Sequence, residues 1–423
     1  MVSPRSLSEQ TRRVSVTGAS RDPGIVRRTQ IVDIARAIPS GLELPLETSV
    51  LLTIAIKQFG ASGLAKGCVA SAAEIGLLFS PFVTSLTRRF GRSIMKTASA
   101  IVALGMIGFG SATLGNLWLM VIGSIVGVAS LSAIVPLTTL TYDRNFPVAT
   151  RGKRVAWGMA LRVGVSAISG LVMGSFLKAH LDRWAVVVGV GAVAAALQVV
   201  LLRLIPSAPL EHVSGVRNRP WPHFELLKTD RQLRLTITAW MLMGFGNLML
   251  LPLRVEYLAQ PKYGIRADAD KIVLLTVVVP AIVRLLCIPM FGWIFDRLSF
   301  FASRILVNLL FAVYVGAFFT GRSDVGLYLG AVALGVGGAG GDLMWTLWVT
   351  KFSPPDRVAD YMGLHTFFTG IRGVLAPLLA FAVIAHLPIS VVAIISALLM
   401  VAASLVLVPE ARAERRRRQG LIR

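Results

Sequence analysis

Twelve runs of about twenty predominantly apolar residues divide this chain, each long enough to cross the hydrocarbon core of a bilayer as one α-helix. They fall at about 36–58, 64–86, 95–114, 117–141, 154–177, 184–205, 233–255, 271–293, 303–320, 326–350, 359–384 and 387–408. Segment one has the softest boundaries, because it holds Pro45 and two glutamates. Hydrophobic residues make up 55% of the 423, charged residues 15%, and mean hydropathy is +0.72. A soluble chain of this length could not bury that much apolar surface. The predicted fold is therefore an all-α integral membrane protein of twelve transmembrane helices.

A net charge of +22 raises the question of nucleic acid. The basic residues, however, cluster in loops that alternate along the chain, with no single basic face, so no nucleic-acid partner is expected. The first tail holds Arg5, Arg12, Arg13, Arg21, Arg27 and Arg28, and the second-to-third loop Arg88, Arg89, Arg92 and Lys96. The fourth-to-fifth loop has Arg144, Arg151, Lys153 and Arg154, and the chain ends in a run at Arg415, Arg416, Arg417 and Arg418. The opposite loops are poorer in base, so the positive-inside rule places both termini in the cytoplasm, and the expected location is a bacterial inner membrane. Residues 1–35 are rich in Ser, Thr and Arg and lack an apolar stretch, which predicts a disordered tail rather than a cleaved signal. Cys68 and Cys287 lie in apolar segments and read as small packing residues.

Seven ionisable residues lie inside the apolar segments: Glu43, Glu47, Glu74, Arg162, Arg284, Asp342 and Arg372. A charge in hydrocarbon costs roughly 2.5–3.5 kcal/mol on insertion scales, so such residues face a polar interior and mark a pathway. All seven fall in segments one, two, five, eight, ten or eleven, and segments three, six, nine and twelve carry none in their interiors. That pattern predicts an inner set of helices around a route and an outer set against lipid.

A proline-rich, charged stretch at 207–232 separates two groups of six segments, which suggests duplication. The predicted organisation is a tail at 1–35, a six-helix half at 36–206, a cytoplasmic linker at 207–232, a second half at 233–408 and a basic tail at 409–423. Corresponding loops support it. Phe146 and Pro147, then Arg151, Gly152, Lys153 and Arg154, follow segment four, and Phe352, Pro354, Pro355 and Arg357 follow segment ten. Arg89, Gly91 and Arg92 follow segment two, and Gly292, Asp296 and Arg297 close segment eight. On these residues the chain, over about 36–408, resembles a major facilitator superfamily transporter, whose loop pattern Gly-x-x-x-Asp-Arg-x-Gly-Arg follows the second helix and recurs weakly after the eighth. Here Thr84 stands in place of the first copy's glycine and Arg88 in place of its acid. The resemblance implies that these loop residues gate the cytoplasmic side. The acid that would pair with helix eleven is missing from the first copy. It further implies that helices one, four, seven and ten line a cavity with two, five, eight and eleven beside them, that two packs on eleven and five on eight, and that the remaining four lie outside.

At 1.5 Å of rise per residue, Arg162, Arg284 and Asp342 lie at roughly 12–14 Å from the cytoplasmic ends of their segments. Glu43 is placed similarly, and Glu74 and Arg372 lie deeper. Arg162 and Arg284 then present forked donors suited to a carboxylate or phosphate, unless Asp342 and Glu43 neutralise them in a structural network. Glu74 and Arg372 are candidates for an ion pair bridging the halves, either as a gate or as a static clasp. Glu43 and Glu47 stand four residues apart on one helical face. Their mutual repulsion suits a proton-coupling site at Glu47, with Glu43 either sharing it or reaching to the interface. Asn247 and Trp240 are candidate substrate contacts, as are Trp157, Trp345 and His365.

The expected function is secondary active transport of a small organic, anionic solute by alternating access, coupled to protons or another ion. Proton-driven drug or metabolite efflux is one alternative, and a transport-dead sensor or assembly protein on the same fold is another. No zinc-type His/Glu helix, nucleotide loop or Gly-x-Ser-x-Gly elbow is present, so neither an enzyme nor a metal or other cofactor is expected. The expected partners are a small-molecule substrate and membrane lipid, with the protein a monomer.

Overall fold

A computed structural model describes residues 22–209, 224–320, 323–348 and 358–418, and helices occupy all twelve predicted positions. Segment one runs as Pro23–Pro45, a π-helical turn Leu46–Val50 and Leu51–Lys57. Segment two is broken into Gly63–Ala70 and Ala72–Arg89, bent by 49°. Segments three to six are Ile94–Ala112, the pair Leu117–Ala133 and Val135–Asn145, then Val148–Ala179 and Trp184–Leu204. The second half runs through Arg231–Ala259, then Ala269–Val273 with a π turn Leu274–Val278 and Val279–Arg297, then Phe300–Phe319, Asp324–Leu347, Val358–Val383 and Ile389–Arg418. Among the described residues ten helices are long and apolar enough to cross a membrane, and segment two makes eleven if its bent pair is one span. Segment one is the least apolar, and its Leu46, Val50, Leu51 and Ile54 are buried inside the bundle.

Several elements run past their predicted ends. Asp22 caps segment one by accepting from the Gly24 amide, and Pro23 follows with a backbone angle suited to a first helical turn. Residues 23–35, expected as tail, are therefore helical, and Thr29, Val32 and Asp33 are buried. At the other terminus the helix continues through the Ala- and Arg-rich stretch to Arg418, residues of high helix propensity. Of the linker, 210–223 lie outside the described residues. Asp230 caps segment seven by accepting from the Leu233 amide at 2.9 Å. The loop residues Phe352, Pro354, Pro355 and Arg357 also lie outside.

Between the halves, segment two packs on segment eleven and segment five on segment eight. Gly67 and Gly63 seat segment two directly on Leu378 and the Phe381 backbone, where an added Cβ would lie within 2.9–3.1 Å of its neighbours and force them to shift. Segments three and six pack against each other, as do nine and twelve. The two π turns meet: the Thr276 hydroxyl donates to Ser49 Oγ at 2.8 Å, joining segment eight to segment one. A π turn inserts one residue into a helix and re-aims the side chains beyond it.

Candidate functional site

A cavity of about 250 Å³ lies between the halves. Its walls come from segments one, two, five, seven, eight, ten and eleven, and among its lining residues are Glu47, Glu74, Arg254 and Arg284. Both carboxylates stand on the first half and both guanidiniums on the second. Thr48, Ser166 and Thr276 supply hydroxyls, and Leu52, Leu248, Leu251, Pro252 and Pro280 supply apolar surface.

The end of the cavity away from the termini is closed by charge pairs across the halves. Lys66 Nζ, at the start of segment two, donates to both carboxylate oxygens of Glu256 at 2.9 Å. Both residues are buried, Lys262 adds a second cation 3.8 Å from Glu256, and the Lys66 ammonium lies 5.2 Å from the Phe381 ring centre. Lys178 on segment five pairs with Asp270 at 3.0 Å and Asp268 at 3.6 Å at the head of segment eight. In the adjacent loop, burial and then the charge of Glu256 push the Tyr263 hydroxyl up to about 12, so it stays neutral beside the pair. Toward the basic end, Arg284 pairs with Asp342 at 3.2 Å, and their side chains keep 36% and 52% exposure. Charges that open belong to a wet mouth and not to a lipid face.

The structure separates several residues that the sequence grouped. Glu47, on the π turn, faces the cavity, whereas Glu43 is buried and accepts a hydrogen bond from Gln198 Nε2 on segment six. Glu43 thus neither reaches the interface nor lines the cavity. Proline and π turn intervene between the two acids, so the expected shared face is lost. Glu74 and Arg372 close no ion pair. Glu74 packs its carboxyl against Gly373, where any side chain would overlap it. Adjacent residues on a helix diverge by about 100°, so Arg372 turns into the second half, lies on Gly244 and donates to the Trp240 carbonyl. Arg162 is half-buried as the electrostatic neighbour of Glu43 and Glu47, while its neighbours Val163 and Ser166 line the cavity. Trp240 and His365 are buried in the second half, away from the lining, Asn247 sits beside the lining residue Leu248, and Trp157 is exposed.

The loop residues stand at the basic end. Gly91 turns the chain with φ +54°, a left-handed conformation that favours glycine. Arg92 lies over the Phe90 ring at 5.5 Å, and Arg297 over Trp293 at 4.4 Å. Arg89 ends its helix and Gly292 faces open space. The Asp296 side chain lies outside the described residues.

Arg254, Glu256, Lys66 and Arg304 escaped the sequence reading because each sits within a few residues of a segment end. A signal existed for the first two: no helix breaker intervenes before Pro261, so segment seven had to run on to Ala259. Arg304 also corrects the expectation that segment nine carries no interior charge, since its helix begins at Phe300 and the arginine is 2% exposed.

The Major Facilitator Superfamily profile matches residues 46–323, well over half of the sequence. The chain belongs to the Major Facilitator Superfamily. As a member of it, this protein is an integral multi-pass membrane transporter rather than an enzyme. Solved structures share its fold. A mutant of the nucleoside transporter NupG is 14% identical at a TM-score of 0.70, covering 91% of this chain and 99% of its own. The D-xylose-proton symporter is 16% identical at 0.66, covering 90% and 97%. The inward-open xylose transporter XylE from E. coli is 16% identical at 0.66, covering 89% and 95%. No curated protein matches the sequence.

Proposed function

We propose that this member of the superfamily is a secondary active transporter of a small organic solute that carries an anionic group. The observation behind this reading is the division of charge across the cavity: Glu47 and Glu74 on one half, Arg254 and Arg284 on the other. A solute whose anionic group is held by the guanidiniums, and whose donor groups reach the carboxylates, would touch both halves at once. Alternating access needs such a contact, because a ligand shifts a conformational equilibrium only by binding its states differently. The anion contacts are then Arg254 and Arg284 in place of Arg162 and Arg284. Asp342 holds Arg284 until the substrate arrives. A volume of about 250 Å³ lies below the roughly 300–1,000 Å³ of drug-sized pockets, which favours a small metabolite over bulky drugs.

Glu47 is the proposed proton acceptor, a carboxylate in a low-dielectric cavity with Glu74 as a like-charged neighbour. The shared fold with the D-xylose-proton symporter is compatible with that coupling. With the basic end in the cytoplasm of a bacterial inner membrane, the cavity faces inward and the Lys66–Glu256 and Lys178–Asp270 pairs lock the outer side.

Counterflow in proteoliposomes, screened over carboxylates, phosphorylated metabolites, zwitterions and neutral sugars, tests the reading. Arg254→Ala and Arg284→Ala should each raise the half-saturating concentration of the transported solute about tenfold or more, the scale of a lost charged hydrogen bond. Glu47→Gln should keep exchange but lose acceleration by a pH gradient. Unchanged transport in both arginine variants would sink the anion contacts, and an intact pH response in Glu47→Gln would sink the proton role.

A further inference from the structure

The second half buries a group of donors that the cavity does not use. Arg304 of segment nine and Arg372 of segment eleven are 2% and 5% exposed. Both stand over one indole, with guanidinium carbons 3.8 Å and 5.9 Å from the Trp240 ring centre. Arg304 Nη2 meets only the thioether of Met243, at 3.1 Å, a weak acceptor. Arg372 donates to the Trp240 carbonyl, and its Nε has no partner. Among the described residues no carboxylate lies within ion-pair reach of either arginine, and the acid whose charge Arg372 feels, Glu74, stands across the interface in the cavity wall.

The groups around them are polar and equally unsatisfied. His365 is 1% exposed with both ring nitrogens lacking a partner. Trp240 Nε1, Thr369 Oγ1 and both side-chain polar atoms of the buried Asn308 also lack one. Guanidinium keeps its proton under all ordinary conditions, and a buried ion without a counter-charge carries a desolvation cost of several kcal/mol. The two guanidiniums beside one ring also repel each other, and of the two Glu74 acts on Arg372 alone. The donors Arg304, Arg372, Trp240 and His365 therefore form a buried cluster whose chemistry favours negative charge.

We infer that this cluster of segments seven, nine and eleven is a binding site for a small monovalent inorganic anion, held between Arg304 and Arg372 with the Trp240 and His365 N–H groups as further donors. Ring centres at 4.6 Å for Trp240 and His365, and 5.1 Å for Trp348 and His365, show how closely the group is packed, so the ligand proposed is an anion of halide or comparable size. The site is separate from the guanidiniums assigned to substrate, and it stands whether or not that assignment does.

The test uses the purified full-length protein in lipid nanodiscs, melted in chloride or bromide against gluconate at equal ionic strength. Chloride should raise the melting temperature saturably. Arg304→Gln and Arg372→Gln should each weaken that response about tenfold or more in chloride concentration, while Arg284→Ala should keep it. Bromide should quench tryptophan fluorescence with a saturable component that Trp240→Phe removes. Equal melting in chloride and gluconate would overturn the site, as would a chloride response intact in both arginine variants. Should those variants fail to fold, the bromide arm decides: quenching that is purely collisional and unchanged in Trp240→Phe overturns it.

Discussion

Hydrogen bonds run between acid and base among the buried charges of the first half, and among the described residues no such bond reaches the buried arginines of segments nine and eleven in the second. In the first, Tyr142 and Arg36 donate to Asp33, Arg36 donates also to the Tyr142 hydroxyl at 2.9 Å and to Gln198 Oε1 at 3.2 Å, and Gln198 donates onward to Glu43. Segments one, four and six are stitched together this way, with Arg36 bonded directly to Asp33 and through Gln198 to Glu43. In the second half, Arg304 and Arg372 share one indole with His365, and no described acid lies within ion-pair reach of either arginine. Both halves have the same six-helix design, so the fold does not require either arrangement. A network that bonds acid to base explains itself as structure. An unbalanced one points to a partner from outside the chain.

The largest expected effect probes the balance of the first cluster. Arg36→Leu leaves Asp33 buried without its cation and should cost about 3–5 kcal/mol. The readout is the denaturant or thermal midpoint of the detergent-purified protein. Adding Asp33→Asn should recover part of that loss, because the two residues act as one pair. If Arg36→Leu alone costs under about 1 kcal/mol, the Arg36–Asp33 pair does not hold the first cluster together and the contrast fails.

A smaller effect is expected one step along the chain of donors. Gln198→Ala removes the donor to the buried Glu43 and should cost about 1–3 kcal/mol in the same assay. The residue stands on segment six, expected from sequence to face lipid, so a neutral outcome would return that helix to a purely outer role.

The segments, their helical nature and the inward placement of Glu47, Glu74 and Arg284 were legible in the sequence, because hydropathy fixes spans and the cost of burying charge fixes which residues turn inward. The pairings were not. Glu74 meets segment eleven at Gly373, one residue from the arginine proposed for it, and depth along two helices says nothing about rotation about their axes. Glu43 lay hidden behind a π turn that no propensity signals, and its partner Gln198 carries no charge to draw attention. Arg304 stood too near a segment end to count as interior. Each miss concerns azimuth or boundary, the two quantities that a hydropathy window leaves free.

The smallest expected effect sharpens the contrast most. In gluconate, Arg304→Leu should change stability by no more than about 1 kcal/mol or should stabilise, since an uncompensated buried charge gives way to an apolar side chain. The same substitution strategy at Arg36 is expected to be several-fold more damaging, although Arg36 is the more exposed of the two, with 16% of its side chain open, whereas Arg304 is 2% exposed. Chloride supplies the internal control. If a bound anion completes the second cluster, the wild type gains stability as chloride rises and the variant does not, so the gap between them opens with salt identity at constant ionic strength. A loss at Arg304 as large as that at Arg36, already present in gluconate, would mean that the second cluster is balanced by the chain itself.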